Sequence, residues 1–328
     1  MFKGRILSGM RPTGSLHIGH LSVLENWARF QEEYECFFTI VDWHALTTSF
    51  NETESIPDNI HEMALDWLSV GIDPEKSCIF VQSHVKQHAE LHLLFSMITP
   101  LSWLERCPTY KDQVQQLSKE GKDIATYGFL GYPLLQAADI LVYKADTVPV
   151  GEDQLPHLEF CREIARRFNY LYKNEIFPEP KAVLAKVSLL PGLDKRKMSK
   201  SYNNYIAINE PKDALQQKVR QMVTDPSRIH KTDPGNPDIC VVYTFHGIYT
   251  PDEVADIQES CKQGTIGCVA CKKKLTQQME VALAPYRDKR DYYAHRPELI
   301  TEILQNGKKR AEARAEATLQ EVRKAMHL

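Results

Sequence analysis

Arg5-Ile6-Leu7-Ser8-Gly9-Met10-Arg11-Pro12-Thr13-Gly14-Ser15-Leu16-His17-Ile18-Gly19-His20 is the stretch that decides the fold. Its first four residues read as a strand, a Gly/Pro/Thr turn follows, and the spacing predicts a helix from about Leu16 to Phe30. Working outward, residues 36–41 predict a second buried strand, and a helix around 60–70 leads to a third strand at 77–81. Residues 140–143 and 147–150 are later apolar segments, and 157–168 has helical spacing. Strands separated by helices of this length imply a parallel sheet with helices on both faces, a Rossmann-like α/β architecture.

Past Asn204 strand-like runs become scarce. Ile300, Ile303, Leu304, Ala311, Ala315, Leu319, Val322 and Met326 then form one apolar stripe on a long final helix, with Lys308, Lys309, Arg310 and Arg314 around it. The expected division is a Rossmann-like domain over 1–204 and a smaller all-helical domain over 205–328. The 328 residues suffice for one large and one smaller domain, and 43% hydrophobic with 25% charged residues is ordinary for a globular protein. A net charge of −3 argues against coating nucleic acid indiscriminately and leaves room for a local basic patch that grips RNA. No apolar run reaches the length of a membrane span and no secretory signal is evident, so the expectation is a cytoplasmic protein with neither a membrane nor a DNA partner.

Residues 9–20 leave a strand and enter a helix, which is where ligands bind in an open parallel sheet. A helix N-terminus there offers unpaired N–H groups to an anion. Gly19 lacks a Cβ, so a flat adenine or ribose could lie against the backbone. His17 and His20 are three apart, hence on one side of a helix, and both can donate hydrogen bonds to phosphate oxygens. Lys197-Met198-Ser199-Lys200-Ser201 lies in a polar loop after Pro191-Gly192. Two lysines and two hydroxyls at that spacing suit neutralising the charge of a departing pyrophosphate.

Such a transfer needs positioning and charge stabilisation, with Mg²⁺ bridging phosphate oxygens of ATP. It needs no protein nucleophile if the attacking group is the substrate's own carboxylate. The alternatives are a histidine pair in a helix cap and a solvated basic loop. Both strings in the right order coincide by chance on the order of once in a million chains. The Gly-x-x-x-x-Gly-Lys-Ser/Thr phosphate loop is absent, which counts against an ordinary P-loop ATPase.

The two motifs resemble those of class I aminoacyl-tRNA synthetases. Tyr132-Pro133-Leu134-Leu135-Gln136-Ala137-Ala138-Asp139-Ile140-Leu141 and Val148-Pro149-Val150-Gly151-Glu152-Asp153-Gln154 resemble the tryptophanyl-tRNA synthetase family more narrowly. So do His157-Leu158-Glu159, residues 164–169 and residues 41–47, and the similarity runs over essentially the whole chain. The resemblance implies activation of L-tryptophan with ATP to tryptophanyl-adenylate, then transfer to tRNA(Trp), by a cytoplasmic homodimer whose helical part holds the tRNA. It implies that His17, His20, Lys197 and Lys200 stabilise phosphate charge. It assigns Arg11, Pro12, Thr13, Gly19, His20, Gly151, Glu152, Asp153, Lys197, Met198, Ser199, Lys200 and Ser201 to ATP, with Asp153 on the ribose or the metal. It assigns Asp139, Gln136, His44, Val148, Val150 and Gln154 to the amino acid.

From the residues themselves, a tryptophan pocket needs a flat apolar slot and one acceptor for the donor-only indole N–H. Asp139, bracketed by small and aliphatic residues, can supply the acceptor, and Val148 and Val150 can supply walls. A buried carboxylate rejects substrates that leave it unpaired. Taken alone, Asp139 would sooner be read as a helix-capping or salt-bridged aspartate, and the surrounding motif reverses that preference. Some family members carry methionine where this chain has Gln136, whose amide could instead bind the substrate's backbone groups. His44 reads as a satisfied core histidine rather than a proton carrier, and the resemblance implies a place near the pocket. Tyrosyl-tRNA synthetase is the nearest competing reading, and a non-tRNA adenylyltransferase sharing the His-Ile-Gly-His site is another.

Cys36, Cys78, Cys107 and Cys161 are scattered and read as buried small hydrophobes. Cys240, Cys261, Cys268 and Cys271 gather in one region. Cys-x₂-Cys brings two thiolates to one metal through a tight turn, and the other two can complete a four-sulfur site. Gly264 and Gly267 allow the intervening loop to wrap. Zn²⁺ and a [4Fe–4S] cluster both suit the spacing. The resemblance extends to a subset of tryptophanyl-tRNA synthetases with an iron–sulfur cluster, which makes the cluster the favoured expectation.

Overall fold

The computed structural model describes residues 2–107, 124–184 and 190–328. Five parallel strands form one sheet: β1 (Arg5–Met10), β2 (Glu35–Ile40), β3 (Ser77–Val81), β4 (Thr147–Val150) and β5 (Lys181–Leu184), in the order β3-β2-β1-β4-β5. The chain lays β2 and β3 to one side of β1, then returns to place β4 and β5 on the other. The order therefore reverses between β1 and β4, and the carboxyl ends of those two strands bound the crevice that such sheets use for ligands. The expected Rossmann-like α/β fold is present. Residues 140–143, apolar enough to pass for a strand, instead end the buried helix Tyr132–Val142 and enter the turn after it. A short apolar run does not distinguish a buried helix from a strand by periodicity.

Alternation along β2 builds the two faces. Successive side chains of a strand point to opposite sides, so Phe37 stacks on Tyr143 with centroids 4.7 Å apart while Phe38 stacks on Trp27 at 4.6 Å. Trp27 in turn meets the edge of Trp67 at 5.2 Å. Edge strand β3 is buried at all five positions because the helix Pro297–Met326 lies against it. Its stripe of Ala311, Ala315, Leu319 and Val322 is buried in the same core as Phe37 and Phe80. Gly307 permits the close approach. A Cβ there would overlap the Ile79 carbonyl oxygen, and the Cys78 thiol donates to the Gly307 carbonyl at 3.1 Å.

The chain forms two compact units. The first comprises Met1–Gly14, Val23–Lys186 and Arg296–Leu328, and the second Ser15–Ser22 and Val187–His295. The division therefore falls elsewhere than the expected 204/205. The last helix joins the first unit because its apolar stripe covers β3. Within the second unit, the helices Lys212–Gln221, Val241–Tyr249 and Cys268–Ala294 bury Leu215, Val219, Phe245, Leu275, Met279 and Leu283. Among the described residues no helix is long and apolar enough to cross a membrane. Cys36, Cys78, Cys107 and Cys161 are buried, as small hydrophobes would be.

Candidate active site

In the second unit, residues 15–22 are tied to an extended segment by backbone hydrogen bonds. Ile18 N–H donates to the Ile206 carbonyl at 2.9 Å and Ile208 N–H to the Leu16 carbonyl at 3.0 Å. The chain then turns through the short 3-10 helix Ile18–His20, so His17 stands as its N-cap rather than within the helix expected from about Leu16. His17 Nδ1 accepts from Gly19 N–H at 3.2 Å, which puts the proton of the neutral ring on Nε2. His20 Nδ1 lies 3.3 Å from His17 N, and the two ring centroids are 3.9 Å apart. Burial, the neighbouring His20 and the positive charges of Lys200 and Lys197 push His17 down to about 3. Burial and the same lysines take His20 down to about 4. Both imidazoles are neutral at pH 7 and offer hydrogen bonds rather than charge. The space a Cβ on Gly19 would take is filled by the His17 ring, so this glycine makes room for the histidine beside it.

The lysine motif is anchored by two buried side chains. Met198 packs into the interior, while Lys197 and Ser201 are exposed and Ser199 and Lys200 half-buried. Asn204, also buried, accepts from Ser199 N–H at 2.8 Å and donates to Asp194 at 2.7 Å and to the Lys197 carbonyl at 3.2 Å. Pro191 pairs with Lys197 across the loop, and a Cβ on Gly192 would overlap the Asn204 amide. One amide thus holds three points of the loop that presents the lysines.

The first unit carries a cavity of about 370 Å³ at the carboxyl ends of β1 and β4. Gly9 and Met10 line it from β1 with Arg11 just beyond, and Val148 and Val150 from β4 with Gly151 just beyond. Trp27, Phe129, Tyr132, Gln136 and Asp139 contribute the remaining apolar and polar walls, with His44, Gln154 and His157. Phe129 and Tyr132 are stacked at 5.2 Å. The Tyr132 hydroxyl lies 2.9 Å from His157 Nε2, His157 Nδ1 lies 2.9 Å from Gln154 Oε1, and the Gln154 amide donates to Asp153 at 2.8 Å. Gly151 caps the short helix Glu152–Gln154, where Glu152 and Asp153 are exposed, as are Arg11 and Thr13 on the turn after β1; Pro12 between them is buried.

Asp139 is 2% exposed and accepts from three side chains at once. His88 Nδ1 is 2.6 Å from Oδ1, His44 Nε2 is 3.0 Å from Oδ2, and the Gln82 amide donates to both oxygens at 2.9 and 2.8 Å. Burial alone would raise this carboxyl, but the charge interaction with His88 and the hydrogen bonds from both histidines hold it well below the usual carboxylate range. Gln82 is oriented by the same bonds: turned over, its oxygen would face the carboxylate. Its Oε1 is buried without a hydrogen-bond partner among the described residues, an arrangement that costs roughly 1–3 kcal/mol. Sequence reasoning found Asp139 and His44 and missed Gln82 and His88. Both follow the carboxyl end of β3, and that position was the available signal.

The four clustered cysteines lie in the second unit. Cys240 caps the helix Val241–Tyr249, Cys261 is in Val254–Lys262, and Cys268 and Cys271 open Cys268–Ala294. Burial first, then the charges of the other cysteines, push Cys271 up to about 12 and raise Cys261, so the four thiols share one field. The Arg228 guanidinium stands 3.8 Å from the Cys261 sulfur and 3.9 Å from that of Cys268. The four sulfurs are nonetheless not drawn into ligand spacing. Among the described residues no three His, Cys, Asp or Glu side chains are placed to hold a metal ion.

Comparison with known proteins gives a consistent result. The family model described as tRNA synthetases class I (W and Y) matches residues 3–284. A tryptophan–tRNA ligase of Thermotoga maritima is 51% identical over 328 residues, covering 99% of each chain. One of Aquifex aeolicus is 45% identical over 394 residues, covering 99% of this chain and all of that one. The crystal structure of a Campylobacter jejuni tryptophanyl-tRNA synthetase, complexed with ADP and tryptophan, superposes with a TM-score of 0.89 at 33% identity. It covers 99% of this chain and 100% of that chain.

Proposed function

The chain belongs to the class I tRNA synthetases for tryptophan and tyrosine, and from that premise we propose that its cavity selects tryptophan while the histidine and lysine motifs handle the phosphates of ATP. It is an enzyme, and its reaction is that of a tryptophan–tRNA ligase. The tyrosyl and non-tRNA readings give way to that assignment. The observation that carries the pocket reading is the ionised, fully hydrogen-bonded Asp139 behind an aromatic-lined cavity at the switch point of the sheet.

In the first step the tryptophan carboxylate attacks the α-phosphorus of ATP, the bond to the β,γ-diphosphate breaks, and tryptophanyl-adenylate and pyrophosphate result. In the second, a hydroxyl of the tRNA(Trp) 3′-terminal ribose takes the aminoacyl group and AMP departs. His17 donates from Nε2 to phosphate oxygen as a neutral ring, with His20 beside it. The positive charge comes from Lys197 and Lys200, whose loop Asn204 holds. Mg²⁺ would enter with ATP and would supply further charge neutralisation at its phosphates beside Lys197 and Lys200. Val148, Val150 and Gln136 line the slot, and Gly151 with Glu152 and Asp153 serves the nucleotide. The protein works as a cytoplasmic homodimer.

Cys240, Cys261, Cys268 and Cys271 form a soft, all-sulfur donor set gathered beside a guanidinium that offsets thiolate charge. That chemistry fits a [4Fe–4S] cluster, with Zn²⁺ the second reading. The four thiolates would hold it, and it would cross-link the starts of Val241–Tyr249 and Cys268–Ala294 to the end of Val254–Lys262. Pyrophosphate exchange dependent on added amino acid tests the main proposal: tryptophan drives it, and exchange driven by tyrosine instead would overturn the pocket assignment.

A further inference from the structure

Behind Asp139 runs a chain of buried groups that do not line the cavity. His88, on the helix Gln87–Ser96, is fully buried, with Nδ1 2.6 Å from Asp139 Oδ1 and Nε2 2.6 Å from the Tyr143 hydroxyl. Tyr143 is fully buried as well, its ring stacked on Phe37 and set edge-on to Phe80 at 5.6 Å. Its phenol keeps its proton, because burial and the neighbouring Cys78 and Asp139 push it up. His88 thus joins the two: Nδ1–H donates to the Asp139 carboxylate, and Nε2 meets the Tyr143 hydroxyl. Of the three side chains that donate to the carboxylate, His44 lines the cavity, whereas His88 and Gln82 stand behind it.

We propose that His88 and Tyr143 are positioning residues for tryptophan selection, forming a buried relay that fixes the Asp139 carboxylate as an anion turned to accept the indole N–H. The inference rests on the tryptophan reading of the cavity. A fixed carboxylate gains a bond from a ring that carries an N–H and none from a ring that lacks one, so it favours the former. If the relay is loosened, the carboxylate rotates or shares a proton and that preference falls. A network serving only to fill the core would instead affect every substrate alike.

The test uses the full-length enzyme and pyrophosphate exchange with two amino acids: tryptophan, and its benzothiophene analogue in which sulfur replaces the indole N–H. Tyr143→Phe removes one hydroxyl and keeps the ring stacked on Phe37. Its kcat/KM for tryptophan falls roughly tenfold through KM, while the analogue and the KM for ATP stay unchanged. His88→Ala contracts the preference further, and His88→Asn, which restores one donor to Asp139, recovers part of it. Should Tyr143→Phe fail to fold by thermal melting, the His88→Asn and His88→Ala pair carries the same comparison. Loss by one common factor for both amino acids, or an unchanged preference in folded variants, overturns the relay. Wild-type enzyme showing no preference for tryptophan over the analogue would overturn the reading of the cavity, and the relay with it.

Discussion

Gly307 of the C-terminal helix lies directly against Ile79 of β3, so close that a Cβ on the glycine would overlap the Ile79 carbonyl oxygen. The helix thereby covers a sheet edge that would otherwise be open to pairing. Cys78 fastens the contact from the strand side through its bond to the Gly307 carbonyl.

Gly307→Ala separates packing from propensity. In an exposed helix interior this change stabilises by about 1 kcal/mol. At Gly307 the added methyl meets backbone, which cannot turn aside, so a net destabilisation of about 3 kcal/mol is expected. Urea unfolding measures it, and a variant as stable as the parent would show that the helix can lift from β3 without loss.

Local pattern made the sheet legible and left its closure hidden. The short apolar runs of β1 to β3 and the strand–turn–helix at Arg5–His20 are properties of adjacent residues, and they led to the parallel fold. The place of the last helix depends on a pairing of residues 79 and 307, which no local period records. Its apolar stripe was visible, but the partner of the stripe was not. The same holds at the site: Asp139 and the two motifs stand out as strings, whereas Gln82, His88 and Tyr143 acquire meaning only from where β3 and the helix Tyr132–Val142 place them.

The low values of His17 and His20 give stability a definite pH slope. The unfolded chain binds protons at these rings near 6.5 and the folded chain only near 3 and 4. Their neutral burial therefore favours the fold fully above pH 6.5 and progressively less as pH falls towards 3. The melting temperature should drop between pH 7 and pH 5 by less in the double variant His17→Asn/His20→Asn than in the parent. Asparagine retains an N-cap acceptor at position 17, so an identical slope in both proteins would mean that these rings are not buried as neutral groups.

Asn204 connects loop order to catalysis. In Asn204→Ala, Ser199 N–H, Asp194 and the Lys197 carbonyl lose their shared partner, a loss of about 1–3 kcal/mol. Amides of residues 192–201 should exchange with solvent faster, and kcat for pyrophosphate exchange should fall while tryptophan binding holds. Unchanged amide protection would show that Met198 alone anchors the loop.

For the cysteines, protein purified without oxygen should contain iron and acid-labile sulfide in equal amounts and absorb broadly in the visible. Cys268→Ser should lose both. A colourless protein with stoichiometric zinc would select the other metal, and metal-free protein of unchanged stability would remove the site altogether.

Asp139→Asn probes the carboxylate directly. The substituted amide keeps one acceptor oxygen and turns an N–H₂ towards His44, His88 or Gln82, each of which already donates. Two buried donors then face each other, and a stability loss of about 3 kcal/mol follows from the unpaired groups. Tryptophan suffers more than the fold does, because its indole N–H competes for the one acceptor left. The KM for tryptophan should rise on the order of a hundredfold, the KM for ATP should stay within about twofold, and phenylalanine should gain relative to tryptophan. Exchange kinetics with both amino acids read all three quantities in one series. If the two KM values rose together, Asp139 would be a structural carboxylate of the core, and selection of the amino acid would have to lie with Gln136 and the Tyr132–His157–Gln154 chain at the other wall.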